Sequence, residues 1–284
     1  MHAPAIRPRT AIEIVDAAFS LFRDNFATMA IIGLAASVPF VLFIALGFGA
    51  ISFGSPREFL DNPLAMLPMI FGIAAIAVLW FAVIDGAMTF AAAEAYHGNR
   101  PSPGDAIRGA FSKGLSLVGG NILRMLIIMG GAMLVAILIG VLGKVSGVFA
   151  FLGVIVMIVL GAHLVARTFA ITSAIVIERR SAMDGVSRSF ALSKDSTLRI
   201  VGIGILCLII YWVAQFAGML LVQGVVSFIL RSPVLAAVLG NIVAMLMYPF
   251  LNIALMVLYF DQRVRKEGYD IDVLSSSMAP APQR

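Results

Sequence analysis

Residues 200–230 read IVGIGILCLIIYWVAQFAGMLLVQGVVSFIL, and residues 232–260, just past Arg231, read SPVLAAVLGNIVAMLMYPFLNIALMVLYF, two stretches without one Asp, Glu, Lys or Arg. A helix rises about 1.5 Å per residue, so ~17–25 apolar residues cover the ~30 Å hydrocarbon core of a bilayer. Four further charge-free runs, at 25–56, 62–84, 125–143 and 145–166, meet the same requirement. None alternates with period two, and in lipid a helix satisfies its own backbone hydrogen bonds locally. The expectation is an all-α integral membrane protein with about six transmembrane helices. Composition agrees: of 284 residues 61% are hydrophobic and 12% charged, with a mean hydropathy of +1.03.

The segments between the runs are too short to enclose a core of their own, so residues 1–274 read as a single membrane domain. The tail 275–284, Ser275-Ser-Ser-Met-Ala-Pro-Ala-Pro-Gln-Arg284, has no apolar face and is expected to be disordered. Residues 1–24 carry Arg7, Arg9, Glu13, Asp16, Arg23 and Asp24 where a secretory signal would be apolar, so the N-terminus is expected to be retained. Cys207 is the single cysteine, which excludes an intramolecular disulfide and paired-cysteine metal motifs.

With six spans, 17 of the 20 lysines and arginines fall on the side of the N-terminus, and only Arg57, Lys144 and Arg231 fall on the other. Basic residues near span ends mark the cytoplasmic side, so both termini are expected to be cytoplasmic. The same distribution accounts for the basic pI near 9.7 by charges at the lipid boundary, where anionic headgroups are the nearest partner and nucleic acid is not expected.

Three segments align without a gap: Thr10-Ala-Ile-Glu-Ile-Val-Asp-Ala-Ala-Phe19, Ser102-Pro-Gly-Asp-Ala-Ile-Arg-Gly-Ala-Phe111 and Ser181-Ala-Met-Asp-Gly-Val-Ser-Arg-Ser-Phe190. A hydroxyl followed three residues later by an acid caps a helix N-terminus, so a helix should start at Thr10, Ser102 and Ser181. Pro103 strengthens the second, since the first helical position needs no N–H. Ile12, Val15, Phe19 and Phe22, like Met183, Val186 and Phe190, recur at helical spacing as an apolar stripe. These are read as interfacial amphipathic helices, stripe toward acyl chains or bundle. Each precedes two runs, which gives three parallel units of interfacial helix plus two spans, at about 10–96, 102–176 and 181–266. Thr89-Phe90 and Thr168-Phe169 extend the repeat, each pair at the same distance before the next cap.

At Ile14-Val-Asp-Ala-Ala-Phe-Ser-Leu-Phe-Arg-Asp-Asn-Phe26, at Ala95-Tyr-His-Gly-Asn-Arg-Pro-Ser102 and at Tyr259-Phe-Asp-Gln-Arg-Val-Arg-Lys-Glu-Gly-Tyr-Asp270, the chain resembles the membrane-domain family named after glycerophosphoryl diester phosphodiesterase. The resemblance covers most of the chain, and the C-terminal motif is its most specific part. It implies a stand-alone bacterial inner-membrane domain. Catalysis in relatives that hydrolyse glycerophosphodiesters belongs to a separate soluble barrel with a His-Arg-Gly motif, and His97-Gly98 is not that motif.

Asp85 is the polar residue that needs a reason, because a carboxylate in hydrocarbon costs about 2.5–3.5 kcal/mol on insertion scales. It precedes Glu94 by nine residues, which puts it about 13 Å further along a helix. Its candidate partners are His163, which aligns within one residue of it between units, and Arg167 one turn further on. The three form either an intramembrane ion, proton or headgroup site or a structural pair joining two spans. Arg179, Arg180, Arg263, Arg265 and Lys266 are candidate contacts for anionic lipid, or anchors that set orientation. Gln215, Gln223, Asn241 and Asn252 read as interhelical hydrogen-bonding residues, and the pairs Gly119-Gly120 and Gly130-Gly131 as sites of close helix contact. With histidines only at 2, 97 and 163, no nucleophile and base converge and no cofactor is expected. The reading is a non-enzymatic protein of membrane or lipid organisation or a scaffold for a protein partner, with transport of a small solute, ion or lipid through Asp85 and His163 as the alternative.

Overall fold

The structure, a computed structural model, describes residues 7–39, 67–269 and 271. Within them lie ten helices: α1 (Ala11–Asp24), α2 (Phe26–Ala35), α3 (Leu67–Tyr96), α4 (Pro103–Phe111), α5 (Gly114–Leu142), α6 (Gly147–Arg167), α7 (Ile171–Ile177), α8 (Ala182–Ser193), α9 (Thr197–Leu230) and α10 (Pro233–Glu267). No strand occurs among the described residues. Among the described residues five stretches are long and apolar enough to cross a membrane: Phe71–Tyr96, Gly114–Leu142, Gly147–Ile177, Thr197–Ile229 and Ile242–Glu267. Of the expected first span only the opening, α2, is described, and the tail 275–284 also lies outside the described residues.

The three cap motifs start α1, α4 and α8 as expected. Thr10, Ser102 and Ser181 each accept the backbone N–H three residues on. Only the first closes a full capping box, with Glu13 reaching back to the Thr10 N–H at 2.8 Å. Asp is one methylene shorter. Asp184 takes the proton of its own cap hydroxyl instead, at 2.6 Å.

The apolar stripe of these helices is divided between the core, which Phe22 enters, and the outer surface. Ile12 is 74% and Phe19 55% exposed, and Met183 and Phe111 also point outward. What packs inward is the row two residues later, Ile14 and Ala18 in α1, Ala106 and Ala110 in α4, Gly185 and Ser189 in α8. In α4 and α8 the inward side chains are small and let these short helices lie close against the spans, whereas α1 also buries Ile14, Leu21 and Phe22.

The core lies toward one end of the bundle. The last turns of α10, from Ile253 to Gln262, pack against the alanine-rich end of α3, with α1 and α2 closing over them. Tyr96 stacks on Phe260 with ring centres 4.8 Å apart. The middle stretches of α5, α6 and α9 carry exposed Leu, Ile, Val, Met and Phe along their length, as expected where the surrounding solvent is as apolar as leucine.

At two places a backbone group without its helical partner is met by a neighbouring helix. Pro249, inside α10, has no N–H to give to the carbonyl of Met245, and α2 sets Gly33 against that carbonyl. A Cβ on Gly33 would stand 2.6 Å from the Met245 oxygen. Between α6 and α7 the chain breaks at Thr168–Ala170, and Ser189 of α8 bridges the gap. Its hydroxyl accepts the Ala170 N–H at 3.1 Å and donates to the Arg167 carbonyl at 2.7 Å.

Candidate functional site: an intramembrane polar cluster and a charged clasp

Asp85 sits in α3, and Tyr248 of α10 donates its phenol hydrogen to the Asp85 Oδ1 at 2.5 Å. Asn252, one turn further along α10, faces the same carboxylate and donates to the Met88 sulfur at 3.4 Å. Thr89 bonds back to the Asp85 carbonyl at 2.8 Å. From α5, Arg124 reaches the Thr172 hydroxyl of α7 at 2.9 Å. It is near enough for its charge to act on Asp85, yet the two are not within ion-pair contact. The Arg124 Nε is buried without a hydrogen-bond partner. The cluster therefore draws α3, α5, α7 and α10 together through groups that would each be costly in hydrocarbon alone.

The partners anticipated for Asp85 are elsewhere. His163 is exposed on α6. Arg167 lies with its guanidinium 4.5 Å over the ring of Phe190. One residue of alignment offset is about 100° around a helix, enough to turn His163 to the outer face. Tyr248 and Arg124 gave no such signal. Tyrosine in an apolar run reads as an interfacial residue, and Arg124 stands beside the charge-free run that α5 continues.

The basic residues at the same end of the bundle are engaged in a clasp. Asp261, its side chain fully buried, accepts from Arg199 of α9, from Arg265 at 3.0 Å and from the Arg9 backbone N–H at 2.7 Å. Arg199 and Arg265 also donate to the Arg9 carbonyl, each at 2.7 Å. Glu178 accepts from Arg180 at 2.5 Å, from Arg188 at 2.8 Å and from the Tyr259 phenol. Arg188 continues to Glu267, which Arg263 meets at 3.2 Å, and Arg263 also covers the Tyr269 ring at 4.1 Å. Burial would raise the Glu178 carboxyl, but the hydrogen bonds from Arg188, Tyr259 and Arg180 outweigh it and hold the group at about 2.

Of the five cations considered for lipid, Arg180, Arg263 and Arg265 are thus paired with internal acids, and Lys266 donates to the carbonyls of Ala191 and Lys194. Arg179 is exposed, with a left-handed backbone at φ 55° just after α7. The Asp-x-Arg-x-Arg-x-Glu-Gly motif is the clasp itself. Gly268, at φ 65°, ends α10 so that Glu267 stays in the last turn. Gly98, at φ 85°, ends α3 in the same left-handed conformation, with the Asn99 N–H on the Glu94 carbonyl and its own on Ala95.

Among the described residues no group of three His, Cys, Asp or Glu could hold a metal ion. Compared with family models, with curated proteins and with solved structures, the chain gives no significant match to any of the three.

Proposed function

We propose that the chain is a non-enzymatic multi-pass protein of a bacterial inner membrane that organises lipid or holds a protein partner, a member of the family its three motifs resemble. The observation that carries this reading is where its ionisable groups are spent. Asp85, Glu178, Asp261 and Glu267 are each bonded to side chains of other helices, and chemistry would need groups left free in a cleft.

Three parallel units, each an interfacial helix followed by two spans, remain the architecture proposed, with six spans and both termini cytoplasmic. In its support, the positions equivalent in the alignment, Ile14, Ala106 and Gly185, and again Ala18, Ala110 and Ser189, are all buried. Thr89 and Thr168 both bond to the carbonyl four residues back. The exposed Ile12, Phe19, Phe111 and Met183 suit helices lying in the headgroup boundary.

Transport is the second reading, and one observation favours it: Arg124 and Asp85 face one another across the spans without an ion pair, and the Arg124 Nε has no partner. Asp85→Asn and Arg124→Gln separate the two. In the scaffold reading both lower the melting temperature in detergent and change no flux into proteoliposomes. Loss of an ion or solute flux at an unchanged melting temperature overturns it.

A further inference from the structure

A cavity of about 340 Å³ runs along the seam of α6, α9 and α10. Ala166 and Phe169 form one wall, Ile203 and Gly204 the second, and Ala254 and Leu258 the third. Its rim residues Val165, Ile205 and Leu208 are exposed, so it opens sideways. All its lining residues are apolar apart from Cys207. On α9 it extends from Ile200 to Leu208, roughly 12 Å at 1.5 Å per residue, which leaves a cross-section of roughly 30 Å². A helix, about 10–12 Å across with its side chains, does not fit such a slot. A single extended hydrocarbon chain does, and all three walls belong to membrane-spanning stretches.

A cation follows the groove lining in sequence at the end nearest the clasp, though it is not itself a lining residue. Arg167 lies on α6 between the groove residues Ala166 and Phe169. Its guanidinium rests on Phe190, and among the described residues it makes no ion pair. The neighbouring arginines Arg199, Arg263 and Arg265 are paired with acids, so Arg167 differs from them in having charge to offer.

From this we infer that the seam holds one acyl chain of an anionic phospholipid, with its phosphate on Arg167. The inference rests on the membrane reading above but not on the polar cluster, and its variants leave that cluster and the clasp intact. Gly204 gives a direct probe, because it lines the groove and a Cβ there meets nothing within 4 Å. Gly202 is equally open but does not line it, so G202L is the matched control, and both changes favour the helix.

The experiment is native mass spectrometry of the full chain, extracted from membranes that contain phosphatidylglycerol and phosphatidylethanolamine. Wild type and G202L are expected to retain phosphatidylglycerol, and G204L to lose it at an unchanged melting temperature. R167Q is expected to keep a lipid but to lose about fivefold of the preference for the anionic headgroup, the worth of one basic side chain at a lipid surface. Equal retention by G204L and wild type overturns the site, as does a wild type that carries no phospholipid. A dimer that G204L disperses with lipid unchanged assigns the seam to a second copy instead. An R167Q protein with undiminished headgroup preference removes Arg167 from the site.

Discussion

At the scale of single residues, Asp85 and Glu178 show what an acid does here. Tyr248 gives the Asp85 carboxyl a hydrogen bond inside the spans, and leaving a buried hydrogen-bonding group without its partner costs about 1–3 kcal/mol. Tyr248→Phe should therefore lower stability by about that amount, read as a shift of the denaturation midpoint in mixed micelles. A shift below a few tenths of a kcal/mol would show that water serves Asp85 equally well. Glu178 makes the stability depend on pH. Its folded-state value is held at about 2 against an ordinary 4.5, so in that interval the unfolded chain binds the extra proton, and stability falls as pH falls. Wild type should lose its advantage in melting temperature over Glu178→Gln as pH is lowered from about 4.5 towards 2. A difference that stays constant through the window would show that the carboxylate's charge is not what Arg188 and Arg180 hold.

Among the elements, two contacts depend on the absence of a few atoms or the presence of one. Gly33 lets α2 touch the carbonyl that Pro249 leaves without its helical donor. Because the opposing atom is backbone, Gly33→Ala forces the helices apart, at the cost of about 1–3 kcal/mol usual for overpacking, measured by thermal unfolding. An alanine tolerated without loss would mean that α2 can slide. Ser189 satisfies both backbone groups exposed where α6 breaks into α7. Ser189→Ala leaves a buried N–H and a buried carbonyl unpaired and should cost about 1–3 kcal/mol. Hydrogen exchange at Ala170 should then speed up ahead of its neighbours in α8. The aligned positions Ala18 and Ala110 need no hydroxyl, since α3 runs unbroken past Thr89-Phe90 to Tyr96.

Over the whole molecule, the clasp ties the start of α1, the turn after α7, the start of α9 and the end of α10. Asp261 carries most of it, being fully buried and bonded to two guanidinium groups and one backbone N–H. Removing one partner of a buried charged network costs about 3–5 kcal/mol. Asp261→Ala should thus unfold this end cooperatively, seen as proteolysis near Arg9 and a lower yield of folded protein. An Asp261→Ala protein that resists protease like wild type would show that the packing of Tyr96, Tyr259 and Phe260 suffices. The proposed orientation is tested separately by reporter fusions, which should find both termini on the cytoplasmic side.

What could be read in the chain itself was whatever is decided within one or two helical turns. Charge-free length set where the spanning helices run, and hydroxyl-to-acid spacing set the starts of α1, α4 and α8. These are local because the interactions link residues three or four apart or depend only on transfer to lipid. Pairing across the bundle could not be read this way. Asp85 meets Tyr248 from 163 residues away, and a one-residue shift in register was enough to send His163 outward. How the stripe on the short helices divides between lipid and protein was not legible for a related reason. Periodicity locates an apolar face, but whether that face meets lipid or protein depends on how close a neighbour comes, and the residues at 14/18, 106/110 and 185/189, most of them small, decide that only once the spans are packed. The same holds for the basic residues around the clasp: the sequence supplied their charge, and only the tertiary structure decided that most were already paired with acids, while Arg167 rests on the ring of Phe190.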